Sequence, residues 1–151
     1  MEYIESSNKV QGCIFCIAQE KEDSAENLIA YRGEHSYVIL NRYPYTSGHL
    51  MVVPFDHKPN LEELVPGTRA EMMELTTRCM TVLRSIYHPQ AFNIGANIGE
   101  AAGAGVKGHV HIHIVPRWAG DTNFMTTVIE ARVLPEALEN TFARVKNGFL
   151  E

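Results

Sequence analysis
The chain has 151 residues, 45% of them hydrophobic and 21% charged, with a formal net charge of −5. These proportions suit one folded domain with a sizeable core and exclude a disordered chain. The acidic balance leaves no footprint for non-specific nucleic-acid binding, and no apolar run is long enough to span a bilayer, so neither nucleic acid nor membrane is an expected partner.

Residues 1–12 read as an exposed lead-in, and 13–151 as a single domain. The polar start, MEYIESSNKV, has no apolar signal-peptide segment, so a cytoplasmic location is expected. CIFCIAQEKED, 13–23, has room for a helical turn or two. LIAYRG and HSYVILN, 28–33 and 35–41, read as a hairpin turning at Arg32-Gly33-Glu34, because β-branched and aromatic residues dominate both arms. YPYTSG, 43–48, is a loop, and HLMVVP, 49–54, is a strand ended by Pro54. Gly67 to Tyr87 is the clearest helix. Thr68 and Glu71 have capping-box spacing, and Met72, Leu75, Cys79, Val82, Leu83 and Ile86 recur on one face.

His88-Pro89 stops that helix. AFNIGANI, 91–98, alternates as a strand. GEAAGAGVKG, 99–108, is a glycine-rich loop leading into HVHIHIV, 109–115, a strand closed by Pro116. NFMTTVI, 123–129, is a further candidate strand. PEALENTFARVKN, 135–147, is an amphipathic helix with Pro135 at its first position. Hairpin-joined strands with helices among them predict an α+β fold with a mainly antiparallel sheet.

The chemistry concentrates in GHVHIHIVPRW, 108–118. Strand residues two apart share a face, so His109, His111 and His113 line one side while Val110, Ile112 and Ile114 form an apolar side. Two chemistries suit such a row: metal ligation, or nucleophilic attack by a neutral imidazole nitrogen. The preceding glycines favour a phosphate ligand, because their flexible backbone lets N–H groups turn toward an anion. Protonated neighbouring histidines can then offset phosphoryl charge. Cys13 and Cys16 form Cys-x-x-Cys, half of a common zinc motif, and the thioredoxin-like context, a pair opening a long helix after a strand, is missing. Cys79 lies on the apolar side of the long helix and reads as core.

HVHIHIV, together with CIFC, NRYPYTSGHLMVVP and GAGVKGHVHIHIVPRWAGDTNF, resembles the histidine-triad (HIT) superfamily of nucleotide hydrolases and transferases. The late block is most similar to a bacterial branch related to diadenosine tetraphosphate phosphorylases and hydrolases. The resemblance covers roughly Cys13 to Asn147. It implies a HIT-like fold: a mainly antiparallel five-stranded sheet with one long helix and a C-terminal helix. It implies catalytic roles for His111, as nucleophile toward an α-phosphorus, for His113 as a phosphate contact, and for His49 in setting up the site. Nucleotide contacts are implied for Asn41, at the ribose, for Asn97, and for the loop positions Gly103, Gly105 and Val106. A structural zinc is implied at Cys13, Cys16, His57 and His109, and a homodimer is the usual assembly.

Phe15, Ile17, Tyr43 and Tyr45 flank the expected base pocket, and Trp118 faces either a partner subunit or the far end of a long substrate. One departure stands out. Where many members carry Ser, Thr or Gln before the first histidine of the triad, this chain has Gly105 and Val106. Backbone N–H groups, Lys107 or water must serve there. The leading expectation is cleavage of dinucleoside polyphosphates such as diadenosine tetraphosphate through a nucleotidyl-histidine. The alternatives are a purine nucleoside phosphoramidase of the same superfamily, a nucleotide-binding protein with little catalysis, and a metal-binding regulator using all three histidines.

Overall fold
The structure, a computed structural model, describes residues 12–121 and 136–151. A short helix, α1 (Ile14–Gln19), precedes β1 (Ile29–Arg32), β2 (Ser36–Leu40) and β3 (Leu50–Pro54). The long helix α2 (Pro66–Tyr87) leads to β4 (Ala91–Gly95) and β5 (Ile112–Arg117), and α3 (Leu138–Leu150) closes the chain. The five strands form one sheet in the order β1-β2-β3-β5-β4, every neighbouring pair antiparallel. This is the α+β architecture expected from the sequence. The candidate strand at 123–129 lies outside the described residues, as do residues 1–11 of the lead-in and Pro135.

β2 and β3 are buried along their whole length, so both faces of the sheet are covered at its centre. In register, Leu40 sits opposite Leu50, and Leu50 opposite Ile114, which places an aliphatic band on one face. Helix α2 lies against β2, β3 and β5. It contributes buried Met72, Leu75, Cys79, Val82 and Leu83, with Ile86 partly buried beside them. Those residues follow the 3.6-residue period that predicted the helix. Ile39 opposes Met51, and Met51 opposes His113, so the other face carries a histidine into its apolar lining.

The start of α2 differs from the expected capping box. Val65 is the extended cap residue and Pro66 occupies the first turn, where its missing N–H costs nothing. Thr68 is buried inside the helix, and its side chain caps nothing. Glu71 points instead to the β1–β2 turn. Its carboxylate accepts hydrogen bonds from the N–H groups of Glu34 and His35, each at 2.7 Å, and from the Ser36 hydroxyl. A tertiary contact has taken the carboxylate that local spacing assigned to the cap. At the other end His88 adopts a left-handed conformation, φ 50°, and Pro89 follows it.

Helix α3 packs on α2 and β1. Arg78 from α2 donates to the Phe149 carbonyl at 2.8 Å and stacks over the Tyr31 ring at 4.4 Å. The helices approach closely at Gly148, where a Cβ would stand 2.6 Å from Val82 Cγ1.

Candidate active site
β5 is shorter at its start than the sequence predicts. Regular pairing begins at Ile112, so His109 and His111 precede the paired strand. The cause is a competing bond: the Val110 N–H donates to the Lys58 carbonyl at 2.8 Å, which ties this segment to the loop after β3. The alternation still holds in part. Val110 and Ile114 are buried in the core and Ile112 is partly buried. The histidine side is not a solvated face, since His109 is 0% and His111 6% exposed.

His111 and His113 lie with ring centroids 4.8 Å apart. The Nδ1 of His111 is 2.9 Å from the His109 carbonyl oxygen. A carbonyl only accepts, so Nδ1 carries the proton and Nε2 keeps its lone pair. Burial lowers the His111 pKa, although the bond to the His109 carbonyl opposes that shift. The ring is therefore a neutral imidazole whose free electron pair is on Nε2.

His49 is fixed by the same logic. The Tyr45 N–H donates to His49 Nδ1 at 3.3 Å, which leaves the proton on Nε2, 2.9 Å from His113 Nδ1. His113 in turn presents an N–H at Nε2. Burial, then the neighbouring His113 and His111, pushes the His49 pKa down to about 3. Burial and His111 push His113 down to about 4. The expected protonated neighbours are thus neutral N–H donors. Asn41 lies beside this group: its Oδ1 accepts from the Tyr43 N–H at 2.9 Å, and its Nδ2, 3.4 Å from His49 Nε2, makes no bond there because both are donors in this tautomer.

Asn97 is exposed in the loop after β4. Gly95 pairs with His113, so continuing that register by two residues would set Asn97 opposite His111. Gly103 sits at φ 87°, ending a single 3-10 turn, Glu100–Ala102. Among the described residues the N–H groups of Gly105, Val106, Lys107 and Gly108 make no hydrogen bond. Lys107 pairs instead with Glu100 at 2.9 Å. The loop thus presents several unpaired backbone donors directly before the histidines, an arrangement suited to an anion.

The four expected metal ligands converge. Cys13, Cys16, His57 and His109 each offer a ligand atom, and all four atoms lie within 4.8 Å of one another. His57 Nδ1 and His109 Nδ1 are 3.3 Å apart, and Cys16 Sγ lies 3.3 Å from the first and 3.6 Å from the second. Cys13 Sγ is 3.4 Å from His109 Nδ1. A tetrahedral zinc site with ordinary bond lengths has N···N edges of about 3.3 Å and S···N edges of about 3.6 Å, so the residues fit such an ion.

His109 Nε2 lies 2.7 Å from the Pro54 carbonyl and must donate to it, which frees Nδ1 as a ligand. Gly108 provides clearance, since a Cβ there would be 3.1 Å from His57 Nε2. Without a cation, burial and Cys13 push the Cys16 thiol up to about 12.

A cleft of about 360 Å³ is lined by Phe15, Ile17, Ile39, Asn41, Tyr43 and Met51 among others, and it adjoins the histidines through Phe15, whose ring packs on His111, and Met51, which pairs with His113. Tyr45 is not part of it. Its ring packs on His49 at 4.8 Å, and it lines a second cleft with Trp118. Sequence reasoning missed Lys21, Glu26 and Asn27, which also line the first cleft. They fall in an irregular polar stretch that carries no periodic signal.

A family model, HIT domain, matches residues 22–120. The chain belongs to the HIT domain family. A relative from Mycobacterium tuberculosis described as AP-4-A phosphorylase is 42% identical over 116 residues, 77% of this chain and 60% of that relative's length. The chain thus spans less than two thirds of that protein. An asymmetrical bis(5'-nucleosyl)-tetraphosphatase from Schizosaccharomyces pombe is 32% identical over 62% of this chain and 50% of its own length. Among solved structures, a zinc-bound histidine triad family protein from Mycobacterium smegmatis superposes with a TM-score of 0.74. It is 29% identical, over 93% of this HIT chain and 95% of its own.

Proposed function
We propose that this HIT protein is an enzyme that cleaves dinucleoside polyphosphates at a nucleoside α-phosphate, with His111 Nε2 as nucleophile. The observation that carries the reading is the bond from His111 Nδ1 to the His109 carbonyl, 2.9 Å. It fixes the tautomer that exposes a lone pair. Two relatives named for enzymes of dinucleoside polyphosphates support the substrate class. In the first step the lone pair forms an N–P bond and the P–O bond to the departing nucleotide breaks, its electrons leaving on the phosphate oxygen. In this reading His113 Nε2–H and the N–H groups of Gly105 and Val106 donate to the phosphoryl oxygens. In the second step water, losing a proton to solvent, or an oxyanion of inorganic phosphate attacks the same phosphorus, the N–P bond breaks, and its electrons return to His111.

The 360 Å³ cleft takes the nucleoside. In this reading Phe15, Ile17 and Tyr43 contact the base, and Asn41 the ribose. Zinc is the proposed occupant of Cys13, Cys16, His57 and His109. With four protein ligands it would have no open position, so its contribution would be structural, anchoring α1 to the loop after β3. A homodimer joined along β4 is also proposed, because among the described residues β4 is an edge strand with one neighbour, and its Ile94 is 42% exposed. No described helix is long and apolar enough to cross a membrane. Three free cysteines suit a reducing, cytoplasmic setting.

A product assay tests the reading. The protein is incubated with diadenosine tetraphosphate, with and without inorganic phosphate, and the nucleotides are separated. AMP plus ATP marks water as the acceptor, and phosphate-dependent ADP plus ATP marks phosphate. His111→Gln is expected to lose at least about 10⁴-fold in kcat. Wild-type turnover in that variant would contradict the mechanism.

A further inference from the structure
Phe15 occupies a position that neither the metal site nor the nucleophile explains alone. It lies on α1 between the two cysteine ligands, Cys13 and Cys16, and is 2% exposed. Its ring stands 5.4 Å from the His109 ring at 70° and 4.8 Å from the His111 ring at 55°. Phe15 is also one of the residues that line the 360 Å³ cleft. Its backbone is pinned as well, since the buried Tyr37 hydroxyl donates to the Phe15 carbonyl at 2.9 Å. Moving Cys13 or Cys16 therefore moves a wall of the cleft and a neighbour of His111 together. α1 has no side-chain cap and only six residues, too few to hold its place by helix stability alone.

We propose that Phe15 couples the metal site to the nucleotide cleft, so that metal binding strengthens nucleotide affinity and nucleotide binding strengthens metal affinity. The proposal rests on the nucleotide reading above. Linkage requires the two effects to be equal, because both are measured around one thermodynamic cycle. Phe15 is the physical connection: its ring packs on His109, a proposed metal ligand, and on His111, the proposed nucleophile, and the residue lines the cleft. A closed four-ligand metal site thereby acquires a role in affinity without touching the nucleotide.

The test uses AMP as probe and the full chain. AMP affinity is measured by calorimetry on zinc-loaded protein and on chelator-treated protein whose fold is checked by circular dichroism. Zinc affinity is measured against a competing chelating dye, with and without saturating AMP. Wild type is expected to show the same shift in both directions, on the order of fivefold or more. Phe15→Leu keeps an apolar side chain of similar bulk but removes the ring. It is expected to bind zinc as wild type does while the coupling falls to near unity. Ile17→Ala, a second cleft-lining change on α1, is expected to weaken AMP in both metal states and leave the coupling factor unchanged.

Equal AMP affinity in folded zinc-loaded and zinc-free wild type would overturn the coupling and leave the nucleotide reading intact. Coupling that survives Phe15→Leu would also overturn the proposal, placing the effect in the folding of α1 as a whole. Failure of AMP to bind either form would overturn the nucleotide reading and this proposal with it.

Discussion
His49 and His113 illustrate how much burial decides at the scale of one residue. In water an imidazole titrates near pH 6.5. Here the pair is held neutral well below that value, His49 down to about 3 and His113 down to about 4, mainly by burial. The unfolded chain takes up protons near pH 6.5 and the folded pair does not. Stability from these groups is thus complete above the unfolded pKa and falls as pH drops toward the folded values. From pH 7 to pH 5, His49 alone accounts for about 2 kcal/mol of lost stability. Urea unfolding of wild type and His49→Gln at both pH values is expected to show a pH-dependent loss smaller in the variant by about that amount. Parallel losses would show that His49 does not titrate in this way.

The residue scale also shows where a sequence stops being readable. The metal set was legible because the spacing of Cys13 and Cys16 is a motif and His57 and His109 sit at matching family positions. The alternation of His111 and His113 was legible because a strand has a period of two. The tautomers were not. They are set by the carbonyls of His109 and Pro54 and by the Tyr45 N–H, backbone groups whose direction only the fold determines. Hence protonated neighbours were expected where the structure holds neutral donors.

Among the elements, α2 and α3 divide the same way. The apolar face of α2 could be read from its period, whereas its cap could not. Glu71 follows Thr68 at capping-box spacing but serves a turn some 35 residues earlier in the chain. Competition of this kind is invisible to any local rule. Gly148 is a second case. In an isolated helix, alanine at this position is favoured over glycine by up to about 1 kcal/mol. The contact with buried Val82, 2.6 Å from an added Cβ, opposes that gain. Overpacking of this kind costs about 1–3 kcal/mol, so Gly148→Ala is expected to lower the melting temperature. A raised melting temperature would mean that α2 and α3 separate freely.

For the whole molecule, the sheet order puts β4 at one edge, with Ile94 exposed and Phe92 partly buried. If two copies join along that edge, Ile94→Lys places a charge in the seam and is expected to yield monomers in sedimentation. A variant that remains dimeric would move the interface elsewhere. The proposed metal ligand His109 and the proposed nucleophile His111 lie on one continuous segment, only two residues apart. Removing the metal is expected to lower the melting temperature, since the ion would bridge α1, the loop after β3 and the triad segment. An unchanged melting temperature after chelation would contradict this structural role.

In the proposed mechanism one atom, His111 Nε2, forms the covalent bond. The most direct measurement mixes the protein briefly with diadenosine tetraphosphate, quenches at alkaline pH to preserve an N–P bond, and maps the adduct by mass spectrometry. An adenylyl group on the peptide carrying His111, absent in His111→Gln, is the expected result. Turnover with no adduct, or an adduct that persists in His111→Gln, would contradict it.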